Sequence, residues 1–235
     1  MSRKWRVNEM QEVILKAIDI YKSYPAGKVK IEVLSGLNLE VKKGEVLIIV
    51  GASGVGKSTL LHLLGTLDKP DKGEIQFEGK NLLPLNKLAK FRNESIGFIF
   101  QFHHLLPEFS ALENVMLPAL IARRGKNKVR KEAELLLEKV GLLERKNHRP
   151  NQLSCGEAQR VAIVRALINK PHLILADEPT GNLDSHTANE VYSLLQRLTK
   201  ERNHTLIMVT HNEELAKRAD RILRLADGKT RPIFL

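Results

Sequence analysis

Residues Gly51-Ala52-Ser53-Gly54-Val55-Gly56-Lys57-Ser58 match the phosphate-binding pattern G-x-x-x-x-G-K-S/T over its whole length. Glycines let such a loop curl until successive backbone N–H groups point at a bound anion, and the helix that follows adds the positive end of its dipole. In this pattern Lys57 contacts the β- and γ-phosphates, and the Ser58 hydroxyl holds Mg²⁺. We therefore predict that this loop, together with Thr59, binds a nucleoside triphosphate with Mg²⁺.

The segments on either side of the loop have the character that the motif requires. Val46-Leu47-Ile48-Ile49-Val50 is a short apolar run rich in β-branched residues, which is typical of a buried parallel strand. Thr59-Leu60-Leu61-His62-Leu63-Leu64 predicts a helix. A chance glycine-rich turn would match the pattern in about one chain in a hundred of this length, and the strand–loop–helix context makes chance a poorer explanation still.

The composition is that of a globular protein large enough for one sizeable domain, or for a core with an inserted subdomain. The chain has 235 residues, of which 43% are hydrophobic. No apolar stretch approaches the ~18 residues that cross a bilayer, and no apolar secretory core follows the basic N-terminus, so we expect a cytoplasmic location. A single cysteine excludes an internal disulfide and a thiolate metal cluster.

The formal net charge of +11 raises the question of a nucleic-acid partner. The basic residues are spread along the chain, with one dense patch at 123–131. Such a patch is more often a solvated face than a specific binding surface, and anionic lipid headgroups are a second candidate partner. We expect no specific nucleic acid.

Alternating strand-like and helix-like segments predict an α/β fold. Two β-type runs, Val13–Tyr21 and Val29–Val41, predict a small antiparallel sheet. A mostly parallel sheet flanked by helices begins at Val46 and, together with the phosphate-binding loop, predicts a P-loop NTPase core. The pattern turns helical from about 101 to 153, and α/β alternation returns from Val161. The predicted division is a single domain over 1–235, with a core of about 1–100 and 154–235 and an inserted helical subdomain of about 101–153.

Two helices are predicted within the inserted segment, at Leu112–Arg123 and Lys131–Val140. The basic patch leads into the second of them. Gly141 follows directly and is suited to end that helix, because glycine adopts the left-handed conformation of a C′ residue without steric cost.

Open α/β sheets bind ligands at the carboxyl ends of their parallel strands. The apolar run Leu173–Ala176 ends in Asp177 and Glu178. An Asp at a strand end beside a phosphate loop holds Mg²⁺, and a second carboxylate can point toward the γ-phosphate and orient a water. An acidic turn is the alternative, but adjacent carboxylates after a buried strand are hard to explain by packing, because buried carboxylates are costly without partners.

Two other predicted strands end on polar side chains: Thr205–Thr210 is followed by His211, and Ile96–Phe100 by Gln101. We consider His211 a candidate partner of the γ-phosphate, while the Gln101 amide can reach Mg²⁺ or the attacking water. Alone, each is a weak signal, because a lone histidine after a strand is more often a structural hydrogen-bonding residue. Gln101 also begins the helical segment, so its movement would couple nucleotide state to that segment.

Ser154 and Glu157 have the spacing of a capping box at the start of a helix that we predict to run to about Asn169. A capped helix N-terminus is also an anion site, so the chain offers a second one. The spacing alone does not distinguish an anion-binding role from a purely structural cap.

Taken in order along the chain, these motifs resemble those of the ATP-binding cassette family. The resemblance covers most of the chain and rests on these segments: 51–58, Gln101, 153–157, Ile174–Glu178, Gly181-Asn182-Leu183-Asp184 and His211. It implies that two cassettes dimerise head to tail. Each ATP then lies between the phosphate loop of one copy and, in the other, the helix that begins after Ser154, which we call the signature helix.

The resemblance also implies roles for single residues. Ser154 and the Gly156 backbone would contact the partner's γ-phosphate, with Glu157 counted in the same nucleotide-binding motif. Asp184 would lie at the dimer contact.

On the catalytic side, the resemblance makes Glu178 the general base and His211 the switch, with Lys57 and Gln101 completing the catalytic set. Tyr24 resembles the aromatic residue that stacks on adenine, and Tyr21 is a less favoured substitute.

Two subfamilies are closer. Gln101–Phe109 and Leu112–Val115 are similar to the ATP-binding subunits of bacterial lipoprotein-release transporters (the LolD subfamily). Asp177–Asp184 fits these and the macrolide-export subfamily, MacB. Gly51–Gly54 and Ser23–Gly27 lean toward MacB, whose members carry a membrane domain on the same chain, a domain that this sequence does not contain.

The leading expectation is an ATPase subunit of a lipoprotein-release transporter, peripheral at the cytoplasmic face of the inner membrane. It would pair with a second copy and bind two integral membrane subunits through the surface around 101–115.

A MacB-like drug or peptide exporter is the alternative within the family. A soluble cassette acting on nucleic acid or ribosomes is the alternative of another class, supported by the net charge but opposed by the lack of coiled coils or a second cassette. A regulatory cassette that binds ATP without hydrolysis is disfavoured, because Glu178 and His211 are both present.

One position departs from the family pattern, since Cys155 stands where glycine is usual. A tolerated substitution is the favoured interpretation. The other is a thiol made reactive by the helix N-terminus.

Overall fold

The computed structural model describes residues 12–27, 29–82, 87–201 and 203–233, and the basic N-terminal segment lies outside these ranges. The described residues form two β-sheets and the helices that surround them. The strands are β1 (Val13–Ala26), β2 (Val29–Lys42), β3 (Val46–Val50), β4 (Lys72–Phe77), β5 (Lys80–Asn81), β6 (Ile96–Ile99), β7 (Leu173–Asp177), β8 (Thr205–Thr210), β9 (Arg221–Ala226) and β10 (Lys229–Pro232). The helices are α1 (Lys57–Leu64), α2 (Leu88–Ser95), α3 (Ala111–Ile121), α4 (Lys126–Lys139), α5 (Cys155–Leu167), α6 (Ser185–Glu201) and α7 (Glu213–Ala216).

The first sheet is antiparallel, with strand order β2-β1-β4-β5. This confirms the predicted antiparallel N-terminal sheet. Strand β1 runs past the predicted end at Tyr21, because Pro25 and Ala26 pair with Lys30 and Val29 of β2. Proline lacks only its own N–H, so it can stand near the end of a strand without breaking the pairing.

The second sheet has the order β10-β9-β3-β8-β7-β6, and only its edge strand β10 is antiparallel to its neighbour. Every residue of β3 and β8 is buried, as expected for central strands covered on both faces. The carboxyl ends of β3, β8, β7 and β6 therefore lie at one edge of the sheet, which confirms the predicted P-loop NTPase core.

The central strand β3 contributes to two separate cores because successive side chains point to opposite faces. Val46, Ile48 and Val50 pack in a cluster with the apolar faces of α3, α4, α5 and α6. Leu47 and Ile49 pack on the other face with α1 and the antiparallel sheet. The helical segment after β6 thus shares its core with the parallel sheet. The division into a core and an inserted segment at 101–153 stays a prediction.

Helix α4 begins at Lys126, so the predicted start at Lys131 is wrong. The apolar stripe includes Val129 as well as Ala133 and Leu136, and lysine and arginine favour helices well enough to fill the first turn. Most of the basic patch therefore lies on the exposed face of α4.

Gly141 ends α4 as predicted. Its φ is 72°, in the left-handed region, and its N–H donates to the Glu138 carbonyl at 2.9 Å. The Leu142 N–H donates to the Leu137 carbonyl at 2.8 Å. These two bonds make a Schellman motif, which satisfies carbonyls that the last helical turn leaves open.

We predict that Gly141→Ala lowers the free energy of unfolding by about 1 kcal/mol, since a Cβ disfavours the left-handed conformation. A Cβ at Gly141 would meet nothing within 4 Å, so the cost comes from the backbone alone. Gly141→Asn is the matched control, because asparagine tolerates this conformation and should retain most of the stability. Urea unfolding of the three proteins measures the difference, and equal stabilities for the alanine and asparagine variants would contradict the assignment.

Candidate active site

Polar groups from four parallel strands meet at the carboxyl edge of the sheet. The loop after β3, the Asp177–Glu178 pair that ends and follows β7, His211 after β8 and Gln101 after β6 lie around one cleft of about 620 Å³. The cleft is lined by Val33, Ser53, Gly54, Gly56, Lys57, Ser58, Thr59, Gln101, Glu178 and His211. The sequence-predicted groups of the four strand ends are thus brought together.

The phosphate-binding loop curls around its own lysine. Lys57 Nζ donates to the carbonyl oxygens of Gly51 at 2.8 Å and Ala52 at 3.0 Å, and its side chain is only 7% exposed. Gly56 has a φ of 103°, and a Cβ there would lie 2.5 Å from the Val33 side chain. Glycine is therefore required at this position both by backbone conformation and by space.

Ser58 and Asp177 form the oxygen-rich corner of the cleft, with Ser58 Oγ donating to Asp177 Oδ1 at 3.1 Å. Burial raises the pKa of Asp177, and the Ser58 hydrogen bond partly opposes that shift. A hydroxyl and one carboxylate fit Mg²⁺, which binds proteins through one or two carboxylates and takes further oxygens from phosphates and water. No cluster of three or more His, Cys, Asp or Glu side chains suited to a metal occurs within the described ranges, so this corner would need a ligand's oxygens to complete it.

Glu178 lies between a lysine and a histidine. Its Oε2 accepts from the His211 backbone N–H at 3.3 Å and lies 2.9 Å from His211 Nδ1, while its Oε1 lies 3.5 Å from Lys57 Nζ. Its φ is 45°, a left-handed conformation that costs a non-glycine residue about 1–2 kcal/mol. Such strain at a polar cleft is typical of a site whose geometry serves chemistry.

Gln101 makes a contact that the sequence did not reveal. Its Nε2 donates to Asn182 Oδ1 at 2.9 Å, and Asn182 Nδ2 donates back to the Gln101 carbonyl at 3.3 Å. Strand β6 ends at Ile99, so Gln101 lies two residues beyond the strand end. Asn182 lies in a segment that the sequence marked only through its resemblance to a family motif.

The capping box at the start of α5 is present as predicted. Ser154 Oγ accepts from the Glu157 N–H at 3.2 Å, and Glu157 Oε2 accepts from the Ser154 N–H at 2.8 Å. Cys155 is exposed, with its Sγ 3.5 Å from His103 Nε2. None of the residues from Ser154 to Glu157 lines the cleft of their own chain, so their predicted role toward a partner's nucleotide stays a prediction.

Asp184 organises the start of α6. Its Oδ1 accepts from the backbone N–H groups of His186 at 3.0 Å and Thr187 at 3.1 Å. Hydrogen bonds from the Thr187 side chain and backbone lower the pKa of Asp184. The starts of α5 and α6 are close together, since a Cβ at Gly156 would lie 2.6 Å from the Thr187 methyl group.

Tyr24 lies beside the end of the phosphate-binding loop. Its hydroxyl donates to Asp68 Oδ2 at 2.8 Å, and Lys22 Nζ lies 5.0 Å from the ring centre. Burial and the Asp68 bond raise its pKa, and a hydrogen bond with Thr59 opposes this. Tyr24 is 37% exposed but is not among the residues that line the cleft, so stacking on adenine stays a prediction.

Comparison with known proteins decides the family. Residues 34–181, well over half of the chain, match the family model described as ABC transporter. The chain belongs to the ABC transporter family. This confirms the identification from sequence as an ABC transporter ATPase, the nucleotide-binding subunit of such a transporter.

Curated relatives span almost the whole chain. A lipoprotein-releasing system ATP-binding protein, LolD, from Geobacter metallireducens is 53% identical over 218 residues, which is 92% of this chain and 97% of the relative. The LolD of Bdellovibrio bacteriovorus is 49% identical, again over 92% of this chain and 99% of the relative. The prediction of a close resemblance to the LolD subfamily is therefore confirmed.

A solved dimeric structure of the ATP-binding cassette MJ0796 in a post-hydrolysis state, bound to ADP and Pi, is similar to this chain with a TM-score of 0.86 and 42% identity. The match covers 93% of this chain and 97% of that one. Across the ranges that the structure describes, no helix is both long enough and apolar enough to span a bilayer.

We predict that Asp177→Asn raises the melting temperature of the nucleotide-free protein at neutral pH. Burial disfavours the charged carboxylate, so the pKa is higher in the folded state and the ionised group lowers stability above the ordinary carboxyl pKa of about 4. The gain should appear as pH rises through that region and vanish in acid, where the carboxyl is neutral in both states.

The matched control is Asp184→Asn. The pKa of Asp184 is lowered, so its charged form stabilises the fold, and neutralisation should lower the melting temperature at neutral pH. Differential scanning fluorimetry at several pH values measures both. A loss of stability in Asp177→Asn would contradict the electrostatic account of the cleft.

Proposed function

We propose that this ABC transporter ATPase powers the release of lipoproteins from the inner membrane. The observation that carries the ATPase chemistry is the convergence of the phosphate-binding loop, Asp177, Glu178 and His211 in one cleft. The cargo is proposed from the relatives, which are named as lipoprotein-releasing system ATP-binding proteins and match nearly the full length of the chain.

The chemistry is the hydrolysis of ATP. A water oxygen bonds to the γ-phosphorus, the bond from that phosphorus to the β,γ-bridging oxygen breaks, and ADP and phosphate are formed. Glu178 is the group that orients the water and receives its proton, and His211 holds Glu178 through its ring and its backbone N–H. Lys57 and the amides of the loop stabilise the charge on the phosphate oxygens. Ser58, Asp177 and Gln101 would hold Mg²⁺, which neutralises negative charge on the phosphates.

A second copy of the chain completes the site in this proposal. The capped start of α5 presents backbone N–H groups and the positive end of the helix dipole, which suit a phosphate. Ser154, Gly156 and Glu157 would serve the partner's ATP, and Asp184 would lie at the contact. The support is that Ser154 and Asp184 are exposed in the single chain and that the similar cassette MJ0796 is dimeric.

The membrane subunits would bind an apolar groove beside the cleft, at the cytoplasmic face of the inner membrane. Phe102 is 68% exposed and Ile121 is 64% exposed, which are large fractions for such side chains. Ile121 borders a cavity of about 460 Å³ between α2, β6, α3 and α5. The cavity is lined by Leu67, Ala89, Arg92, Asn93, Ile96, Gly97, Phe98, Phe100, His104, Pro118, Ile121, Arg165, Ala166 and Asn169. An apolar floor with a few polar groups at its rim suits a helix of a membrane subunit.

We predict that Glu178→Gln binds ATP but turns it over at least about a hundredfold more slowly, since general-base catalysis contributes about 10²–10⁴ in rate. The amide keeps the size of the side chain but cannot take up the proton, so an ATP-bound dimer should accumulate. Phosphate release and size-exclusion chromatography with ATP measure the two effects. Glu190→Gln, on the exposed face of α6, is the control. Normal turnover in Glu178→Gln would remove Glu178 from its proposed role.

The cargo is tested in proteoliposomes that contain the chain with the membrane subunits that co-purify with it and an acylated lipoprotein. We predict ATP-dependent release of the lipoprotein to an acceptor outside the vesicle. Phe102→Ser with Ile121→Ser should abolish release while the isolated chain still hydrolyses ATP, because both side chains are exposed and neither lines the nucleotide cleft.

Leu135→Ser, which removes a leucine that is 60% exposed on α4 away from the groove, should leave release intact. ATPase activity that is stimulated by a macrolide or peptide, without lipoprotein release, would instead identify a MacB-like exporter.

A further inference from the structure

The side-chain amide of Gln101 is held by two residues of the turn that follows Glu178. Gln101 Nε2 donates to Asn182 Oδ1 at 2.9 Å, and Asn182 Nδ2 donates to the Gln101 backbone carbonyl at 3.3 Å. A Cβ on Gly181 would lie 2.9 Å from Gln101 Nε2 and 3.3 Å from Gln101 Cδ. The amide thus packs into space that exists because residue 181 has no side chain. We call Gly181 and Asn182 the amide seat.

The hydrogen bonds fix which way the Gln101 amide faces. A backbone carbonyl can only accept, so the Asn182 atom beside the Gln101 carbonyl must be the donor Nδ2. Asn182 Oδ1 then faces the Gln101 side chain, and an oxygen acceptor requires Nε2 rather than Oε1 opposite it. Gln101 Oε1 is consequently the atom left for other partners, and it makes no hydrogen bond within the part of the chain that the structure describes.

Backbone hydrogen bonds tie the amide seat to the strand ends that carry Glu178 and His211. The Gly181 N–H donates to the Glu178 carbonyl at 3.0 Å, and the Leu183 N–H donates to the Thr180 carbonyl at 3.1 Å. The Glu178 N–H in turn donates to the Val209 carbonyl at 3.0 Å. These bonds hold the turn on either side of Asn182 and tie Glu178 to β8, whereas Gln101 lies on the less regular segment after β6.

We propose that Gly181 and Asn182 are positioning residues that present Gln101 Oε1, and not its amide nitrogen, to the Mg²⁺ of bound ATP. The proposal rests on the proposed function and adds a specific role for two residues that do not themselves reach the metal. Mg²⁺ accepts oxygen ligands in a strict geometry and an amide N–H₂ is no ligand, so a freely turning amide would present the wrong atom part of the time. Partners of this kind orient metal ligands in many sites.

The test measures how much Mg²⁺ strengthens the binding of a non-hydrolysable ATP analogue. Calorimetry gives the dissociation constant of AMP-PNP with Mg²⁺ and with EDTA, and the ratio isolates the metal's contribution without turnover. Asn182→Ala should reduce this ratio about tenfold, at the low end of the cost of losing a ligand's orienting partner. Binding in EDTA should be unchanged, since Asn182 does not line the cleft.

Gly181→Ala disturbs the same Gln101 amide by adding a Cβ next to it, whereas Asn182→Ala removes its hydrogen-bond partner. The added Cβ displaces the end of a flexible side chain, so the fold should persist while Gln101 is pushed from the seat. We expect the same direction of change in the ratio. Asn189→Ala, which removes an asparagine on the exposed face of α6, is the matched control and should keep the wild-type ratio.

The double variant Gln101→Ala with Asn182→Ala separates positioning from a general structural effect. If Asn182 acts through Gln101, its substitution should have no further effect on the ratio when Gln101 is already alanine. An unchanged ratio in Asn182→Ala, or an effect that persists in the Gln101→Ala background, would overturn the proposal. Wild-type protein that binds no AMP-PNP with Mg²⁺ would overturn the proposed function as well, so the two failures are distinct.

Discussion

The candidate site depends on the register of three parallel strands. Val50 pairs with Thr210 and Asp177 pairs with Val209, so β3, β8 and β7 end almost level with one another. A shift of one residue in either pair would turn the side chains at that strand end to the opposite face. The register is held because both faces of these strands pack in a core, so a slip would place side chains of the wrong size and shape in both cores at once.

The arrangement of Asp177 and Glu178 in the cleft lowers the stability of the ligand-free protein. Asp177 is held in surroundings that favour its neutral form, and Glu178 adopts a backbone conformation that non-glycine residues avoid. Lys57 satisfies its ammonium group on loop carbonyls and lies near Glu178, so the positive charge is compensated before any ligand arrives. Sites that must bind a highly charged ligand commonly trade stability for such preorganisation.

Much of the fold could be predicted because its signals are local. The glycine pattern at 51–58 and the apolar strands determine the P-loop core, and the capping box at Ser154 marks the start of α5 to the residue. The family resemblance supplied what spacing could not, including the expectation that the signature helix contacts the ATP of a second copy. The start of α4 was misjudged because lysines and arginines carry no periodicity of their own, and only the buried Val129 shows that the apolar stripe begins earlier.

Within the site, the residue types that bond to phosphate or metal were predictable, but their partners were not. The pairing of Gln101 with Asn182 joins residues that are 81 positions apart, and neither neighbourhood contains a signal for the other. The close approach of Gly156 to Thr187 is likewise a product of packing between α5 and α6. Such contacts depend on the three-dimensional arrangement of elements, which periodicity and turn chemistry leave open.

The single cysteine has a practical consequence. Cys155 is the chain's one thiol, and it is exposed at the first residue of the helix through which a second copy would engage. A spin label or fluorophore therefore attaches at one defined point without prior removal of other thiols. With one label on each copy, the distance between the two labels can be measured. The native sequence is therefore suited to following how two cassettes approach and separate.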